Sequence, residues 1–173
     1  MAVSETYCNE LRSLKYGLPV WLPDCDDGIR IGDVGYFSEG HWIRLFNATL
    51  PANDPLNANG VPLHYVPLKV DPKHHRQADG YIRAGVICSS SVKGISIGGQ
   101  ASVDGGIVEL KVRYECTENK GAMLVLHRDA DHDSDLPNRR FASYIAAHHR
   151  SWVKFAEETL ELVLPSPESV ILV

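Results

Sequence analysis

The densest group of chemically able side chains is the stretch HRDADHDSD, which holds His127, Asp129, Asp131, His132, Asp133 and Asp135. Imidazoles and carboxylates in one loop are the donor types of a divalent metal site. His127, Asp129, Asp131 and His132 are the four that would take an ion such as zinc. A metal-bound water, or an acid–base pair, would make such a set a hydrolase site. The aspartates at 129, 131 and 133 repeat the opening of an EF-hand loop. However, Ser134 stands where that loop needs its sixth-position glycine, and Arg140 stands where it needs its twelfth-position glutamate, so the stretch is not an EF-hand. The competing reading is a solvated acidic loop whose carboxylates favour the N-terminus of a following helix.

Two further histidine pairs could do chemistry. His148 and His149 fall in the middle of a helical pattern, so one of them turns toward its apolar face near Tyr144 and Trp152. That residue is either a satisfied core histidine or half of an acid–base couple. His74 and His75 stand beside Arg76, with Asp71 and Asp79 near, in a long loop that also contains His64. Together His64, His74, His75 and Arg76 mark a candidate contact region. Other chemistry finds no support. The chain has no G-x-S-x-G elbow, no G-x-G-x-x-G and no GK[ST], and the glycines of GISIGGQ and DGG read as bulges and bends. CSSS at residues 88–91 offers a thiol and hydroxyls, but alternation buries Cys88. The four cysteines, Cys8, Cys25, Cys88 and Cys116, form no CxxC pair. They read as free thiols, with two on buried strand faces, rather than as a zinc site.

The elements that must position these groups follow from periodicity. Ser4–Tyr16 predicts a short helix ended by Gly17. Trp21, between two prolines, reads as a packing anchor in an extended segment. The stretch IRIGDVGYFSEGHWIRLFN predicts a hairpin over about 29–46, with its turn at Ser38-Glu39-Gly40. Gly32 and Gly35 read there as backbone requirements, and Asp33 as the acceptor of local amides. Asn47–Gly80, rich in Asn, Pro and Gly, predicts a long irregular excursion with at most a short strand at Leu63–Val66. A loop of that length points to function. Alternation over about 81–127 predicts a meander of antiparallel strands, in which IVELKVRYEC and AMLVLHR are partners. DADHDSDLPN reads as a polar loop, with Asn138 able to cap a helix. Phe141, Ile145, Trp152, Phe155 or Ala156, Leu160 and Val163 mark one face of a long helix stopped by Pro165 and Pro167. SVILV closes as a strand. The expectation is one α+β domain over 1–173, with a mostly antiparallel sheet packed against the C-terminal helix.

The chain has 173 residues, enough for one well-cored domain, with 44% hydrophobic and 23% charged residues. Its net charge of −5 is spread along the chain, and no Lys/Arg cluster offers a phosphate-binding face, which argues against nucleic acid. The N-terminus lacks the charge and apolar runs of a secretory signal. No run approaches the roughly 18 apolar residues of a membrane span, so the expected location is the cytoplasm. The sequon Asn47-Ala48-Thr49 is then unused.

The motifs LRSLKYGLPVWLP, IRIGDVGYF, HWIRLFN, YECTENKGAMLVL, SWVKFA and ESVILV together resemble a domain common in proteins of mushroom-forming (basidiomycete) fungi. The resemblance spans nearly the whole chain and brings no activity with it. Longer members continue past the last strand, so 1–173 corresponds either to an N-terminal module or to a whole protein. A more distant likeness is to gasdermin-type pore formers, whose alternating strands line a membrane. The same alternation is equally that of a half-buried sheet. With no strong catalytic motif and with a long loop, the sequence points to a non-enzymatic interaction module with a protein partner and no cofactor, serving fungal defence or signalling. The alternative is a hydrolase that uses the 127–135 residues, with His148 or His149 and a divalent metal. The third reading is membrane insertion by the 81–126 hairpins.

Overall fold

In the computed structural model, which describes residues 3–17, 19–21, 28–96, 112–135 and 139–173, the Glu39-Gly40 turn reverses the chain as its residues dictate. Both adopt positive φ, 51° and 90°, the geometry whose twist suits a two-residue hairpin. In chain order the elements are α1 (Val3–Arg12), β1 (Asp33–Ser38), β2 (His41–Asn47), β3 (His75–Ile82), β4 (Gly85–Cys88), β5 (Val92–Ser96), β6 (Val112–Cys116), β7 (Met123–Leu126), β8 (Ala130–Asp135), α2 (Arg139–Lys154) and β9 (Ile171–Leu172). This is an α+β fold with antiparallel sheets and a long C-terminal helix. No helix among the described residues is long and apolar enough to cross a membrane. The chain divides into two compact units. The first is Met1–Trp21 with Arg83–Arg128, and the second is Leu22–Ile82 with Asp129–Val173.

The second unit holds the β2-β1-β9 sheet. β1 and β2 pair from Ser38↔His41 to Asp33↔Asn47, with a bulge at Val34/Gly35 that takes up Leu45. Alternation sends Val34 and Tyr36 to the side covered by α2. Phe46 is fully buried there, edge-on to Tyr65, Trp152 and Phe155 at centroid distances of 5.8, 6.2 and 5.9 Å. α2 then widens into one turn over Phe155–Thr159, closed by a five-residue bond from Leu160 N–H to Phe155 O. The wider turn puts the consecutive residues Phe155 and Ala156 both inside the core.

The other face of the hairpin carries polar groups. The fully buried Asp33 carboxylate accepts from Arg30 N–H and from the Arg44 guanidinium, each at 2.8 Å, and from Asn47 Nδ2 at 2.9 Å. Asn57, buried in the short turn Pro55–Asn57, accepts the Asn47 backbone N–H at 2.7 Å. It donates from Nδ2 to Asn47 O and Pro51 O. Its amide therefore pairs with Asn47 as a neighbouring strand would. The two glycines of GDVG are required here. A Cβ on Gly35 would lie 2.2 Å from Ile43 O, and Gly32 sits at φ +87° against Thr49.

Several expectations are corrected. Residues 75–82 and 130–135 are the strands β3 and β8, paired antiparallel, not loop segments. Their polar composition hid them, because cross-strand polar contacts replace apolar burial. No strand occurs at Leu63–Val66, where Tyr65 N–H bonds to Pro62 O in a turn. Among the described residues of 81–127 the strands pair not with their chain neighbours in a meander but β4 with β7 and β5 with β6, between β3 and β8 in chain order. Cys116 is exposed and Cys88 half-buried, so neither is a core thiol. Cys25, Asn138, Gly98, Gly99, the DGG glycines and the 107–111 part of the predicted strand lie outside the described residues, while Gly94 of GISIGGQ stands in β5 opposite Tyr114 in unbroken register, not at a bulge.

In the first unit the CSSS hydroxyls are structural. Ser89 and Ser91, both buried, lie 2.8 Å apart. Ala122 N–H donates to Ser89 Oγ, and Ser91 Oγ donates to Glu10 Oε2 of α1 at 3.2 Å. The chain of donors holds the helix to the 89–91 turn. Trp21 packs edge-on against Tyr7 at 5.0 Å.

Asn57→Ala leaves the buried Asn47 N–H without its acceptor, while Asn47 O keeps the Tyr65 hydroxyl and Pro51 O keeps the Asp54 N–H. The expected loss is about 1–3 kcal/mol in urea unfolding, with Asn57→Asp no better. A loss within error would mean that the loop does not depend on this amide.

Candidate functional site

β3 and β8 bring the candidates His75, Arg76, Asp131 and His132 to one ladder, with His75↔Asp135, Arg76↔Ser134, Gln77↔Asp133 and Ala78↔His132 in register. His75 Nε2 stands 2.9 Å from Asp133 Oδ1, and Gly80 N–H donates to Asp131 Oδ1 at 2.8 Å. The His132 ring lies on Tyr81 at 4.8 Å. Asp131 and His132 are consecutive in a strand, so they project to opposite faces. Asp129 precedes the strand, and His127 follows β7 in the first unit. Among the described residues, no three His, Cys, Asp or Glu side chains come together as a metal-holding group. His74 is half-buried, its backbone N–H bonded to Asp71 O, while Arg76 is exposed on β3.

The helix histidines both have structural partners. His148 lies against Tyr144 at 4.4 Å. His149 packs on Trp152 and reaches Val170 O with Nε2 at 3.0 Å. A carbonyl only accepts, so Nε2 carries the proton of that bond. His149 also lines a groove of about 660 Å³ with Ile145, Ala146, Arg150, Glu168 and the strand β9, within the size range of ligand sites. Hydrogen bonds from its own backbone N–H and from Ser166 hold the Glu168 carboxyl below the ordinary carboxylate range. Slight burial opposes them, and His149 adds to the lowering. Arg150 and Glu168 carry no local motif, and sequence reasoning did not single them out.

The loop after β2 is ordered from beneath. Leu68 N–H bonds to Ala48 O, and the buried Leu68 closes the base. Tyr65 Oη stands 2.6 Å from Leu50 O and 3.0 Å from Asn47 O, and Tyr144 Oη donates to Val66 O at 2.8 Å. His64 takes φ 60° at the tip. Its neighbours Leu63 and Val66 are 83% and 59% exposed, an apolar pair held outward on a fixed frame. The sequence signal was GVPLHYVP, apolar residues set between prolines.

Comparison of the chain with known protein families, with curated proteins and with solved structures finds no match to any of them.

Burial raises the phenols of Tyr65 in the loop and of Tyr144 on α2. Tyr144 is pushed up to about 12, and Tyr65 rises further, where charge repulsion from Tyr144 adds to the effect of burial and a hydrogen bond with Asn57 opposes it. Both start from an ordinary value of 10. A raised folded value favours the neutral form, so this stabilisation is fully present below the unfolded value of 10 and is lost as pH rises from there through the folded values. Unfolding free energy is expected to fall above pH 10, with a shallower fall in Tyr144→Phe. Identical slopes in the two proteins would contradict the assignment.

Proposed function

We propose that this protein is a non-enzymatic recognition module that binds a protein partner through the tip of the 48–70 loop. The observation that carries the reading is the exposed pair Leu63 and Val66 on a loop fixed by buried Asn57 and by Tyr65 and Tyr144. Ordering a loop in advance removes part of the entropy cost of binding. An apolar side chain on such a frame can fill a partner's pocket as an anchor. His64 at the tip and Arg76 on β3 supply polar contacts on the same unit. Fungal cytoplasmic defence or signalling is the setting proposed for such a module. The hydrolase alternative has no supporting geometry among the described residues, where the candidate donors Asp131 and His132 make contacts to β3.

A fragment-display selection against the full chain tests the reading. Selected ligands should lose at least about tenfold in affinity with Leu63→Asp or Val66→Asp, while the melting temperature stays put because both side chains are already in solvent. Ligands indifferent to both substitutions, or no enrichment at all, would remove the loop tip as the contact surface.

A further inference from the structure

We propose that the cleft between α1 and the β6–β7 connection of the first unit binds the quaternary ammonium group of a small soluble molecule of the choline class. The inference goes beyond the loop reading and uses no residue of that loop. The cleft holds about 530 Å³, and its lining includes Tyr7 of α1, Trp21, Glu118 and Lys120 of the connection, and Met123 of β7. That volume is within the range of small-ligand sites. Both walls are set in advance. Cys8 Sγ donates to Pro19 O at 3.0 Å and ties residues 19–21 to α1, and the indole of Trp21 meets the Tyr7 ring at 5.0 Å and 68°. In the connection, Thr117 N–H and Oγ1 both donate to Ser91 O, and Cys116 Sγ donates to Glu118 O at 3.1 Å. Gly121 packs so closely that a Cβ there would lie 2.6 Å from Val92 Cγ2.

The lining sets the chemistry of the occupant. Two aromatic rings at a wide angle form a corner whose π faces are electron-rich, and Trp21 lines the cleft while 38% exposed. The Met123 thioether, in a side chain left largely in water, adds a polarisable surface beside them. The Glu118 carboxylate forms no ion pair among the described residues, whereas Lys120 is engaged in an interaction of its own. The ring corner and the carboxylate are separate features, and both favour a cation. A neutral apolar ligand would use the rings and not the carboxylate. An anion would meet ring faces and a carboxylate of its own sign. A primary ammonium carries three N–H donors that each need an acceptor, more than this mainly apolar wall supplies. A methylated ammonium has no such donors, and it packs its methyl groups directly on the ring faces.

Ligand-observed NMR of the full chain tests this with choline, with its uncharged tert-butyl isostere, and with ethanolamine, which lacks the methyl groups. Choline is expected to bind saturably, and the other two to bind about tenfold more weakly. Trp21→Leu keeps apolar bulk but removes the ring, and should erase the preference for choline over the isostere. Glu118→Gln, a neutral change at an exposed side chain, should weaken choline about threefold without moving the melting temperature. Lys120→Gln should strengthen it. Leu63→Asp should leave every titration unchanged, so failure here is distinguishable from failure of the loop reading. Phosphatidylcholine vesicles present the same group as a lipid headgroup, and the protein should not sediment with them. No saturation by choline, equal binding of the isostere, indifference to both Trp21→Leu and Glu118→Gln, or sedimentation with the vesicles would each overturn the proposal.

Discussion

The buried carboxylate of Asp33 is the constraint on which the second unit rests. A charge taken out of water must be matched on nearly every lone pair, or it destabilises the fold that buries it. Here the match comes from Arg44 on the partner strand, from the Arg30 amide before the strand, and from Asn47 at the strand's end. Each of those partners is thereby fixed in place. Asn47 in turn offers its backbone to Asn57, and Asn57 fixes the start of the long loop. One ion's demand for partners thus propagates from the sheet to a segment ten residues away.

Two sides of the same hairpin divide the labour. On one, Val34, Tyr36 and Phe46 meet the aromatic face of α2, where burial of apolar surface supplies the stability. On the other, hydrogen bonds supply direction. Apolar packing alone tolerates small slips in register, whereas the Asp33–Asn47 pairing and the tight approach of Gly35 to Ile43 do not. The bulge at Leu45 is the local adjustment that lets both sides be satisfied.

What could be read in advance follows from the range of each cause. The β1–β2 hairpin and α2 were legible because their signals are local: a turn dipeptide with positive φ, and apolar residues at helical spacing. β3 and β8 were not, because HRQADGYI and ADHDSD have no apolar alternation and become strands only through each other, more than fifty residues apart. The loop's length was legible as a hint of function. Its rigidity was not, since it depends on Asn57 and on phenols whose acceptors are distant in sequence. Of the candidate site residues, His149 and His64 could be named from type and setting. Arg150 and Glu168 could not, because a groove between a helix and a strand exists only once both are placed.

The nested strand pairs carry a consequence for how the chain finds its fold. Pairing β3 with β8 directly from an extended chain would require closing a long loop at considerable entropic cost. Once β5 has met β6, the effective loop for β4 and β7 shortens to a few residues, and their union does the same for β3 and β8. Assembly therefore favours a zipper that runs outward from the innermost pair, in which each closure lowers the barrier to the next. In that order the polar outermost pair would close last and across a loop already shortened, so its low apolar content need not carry the full cost of closure.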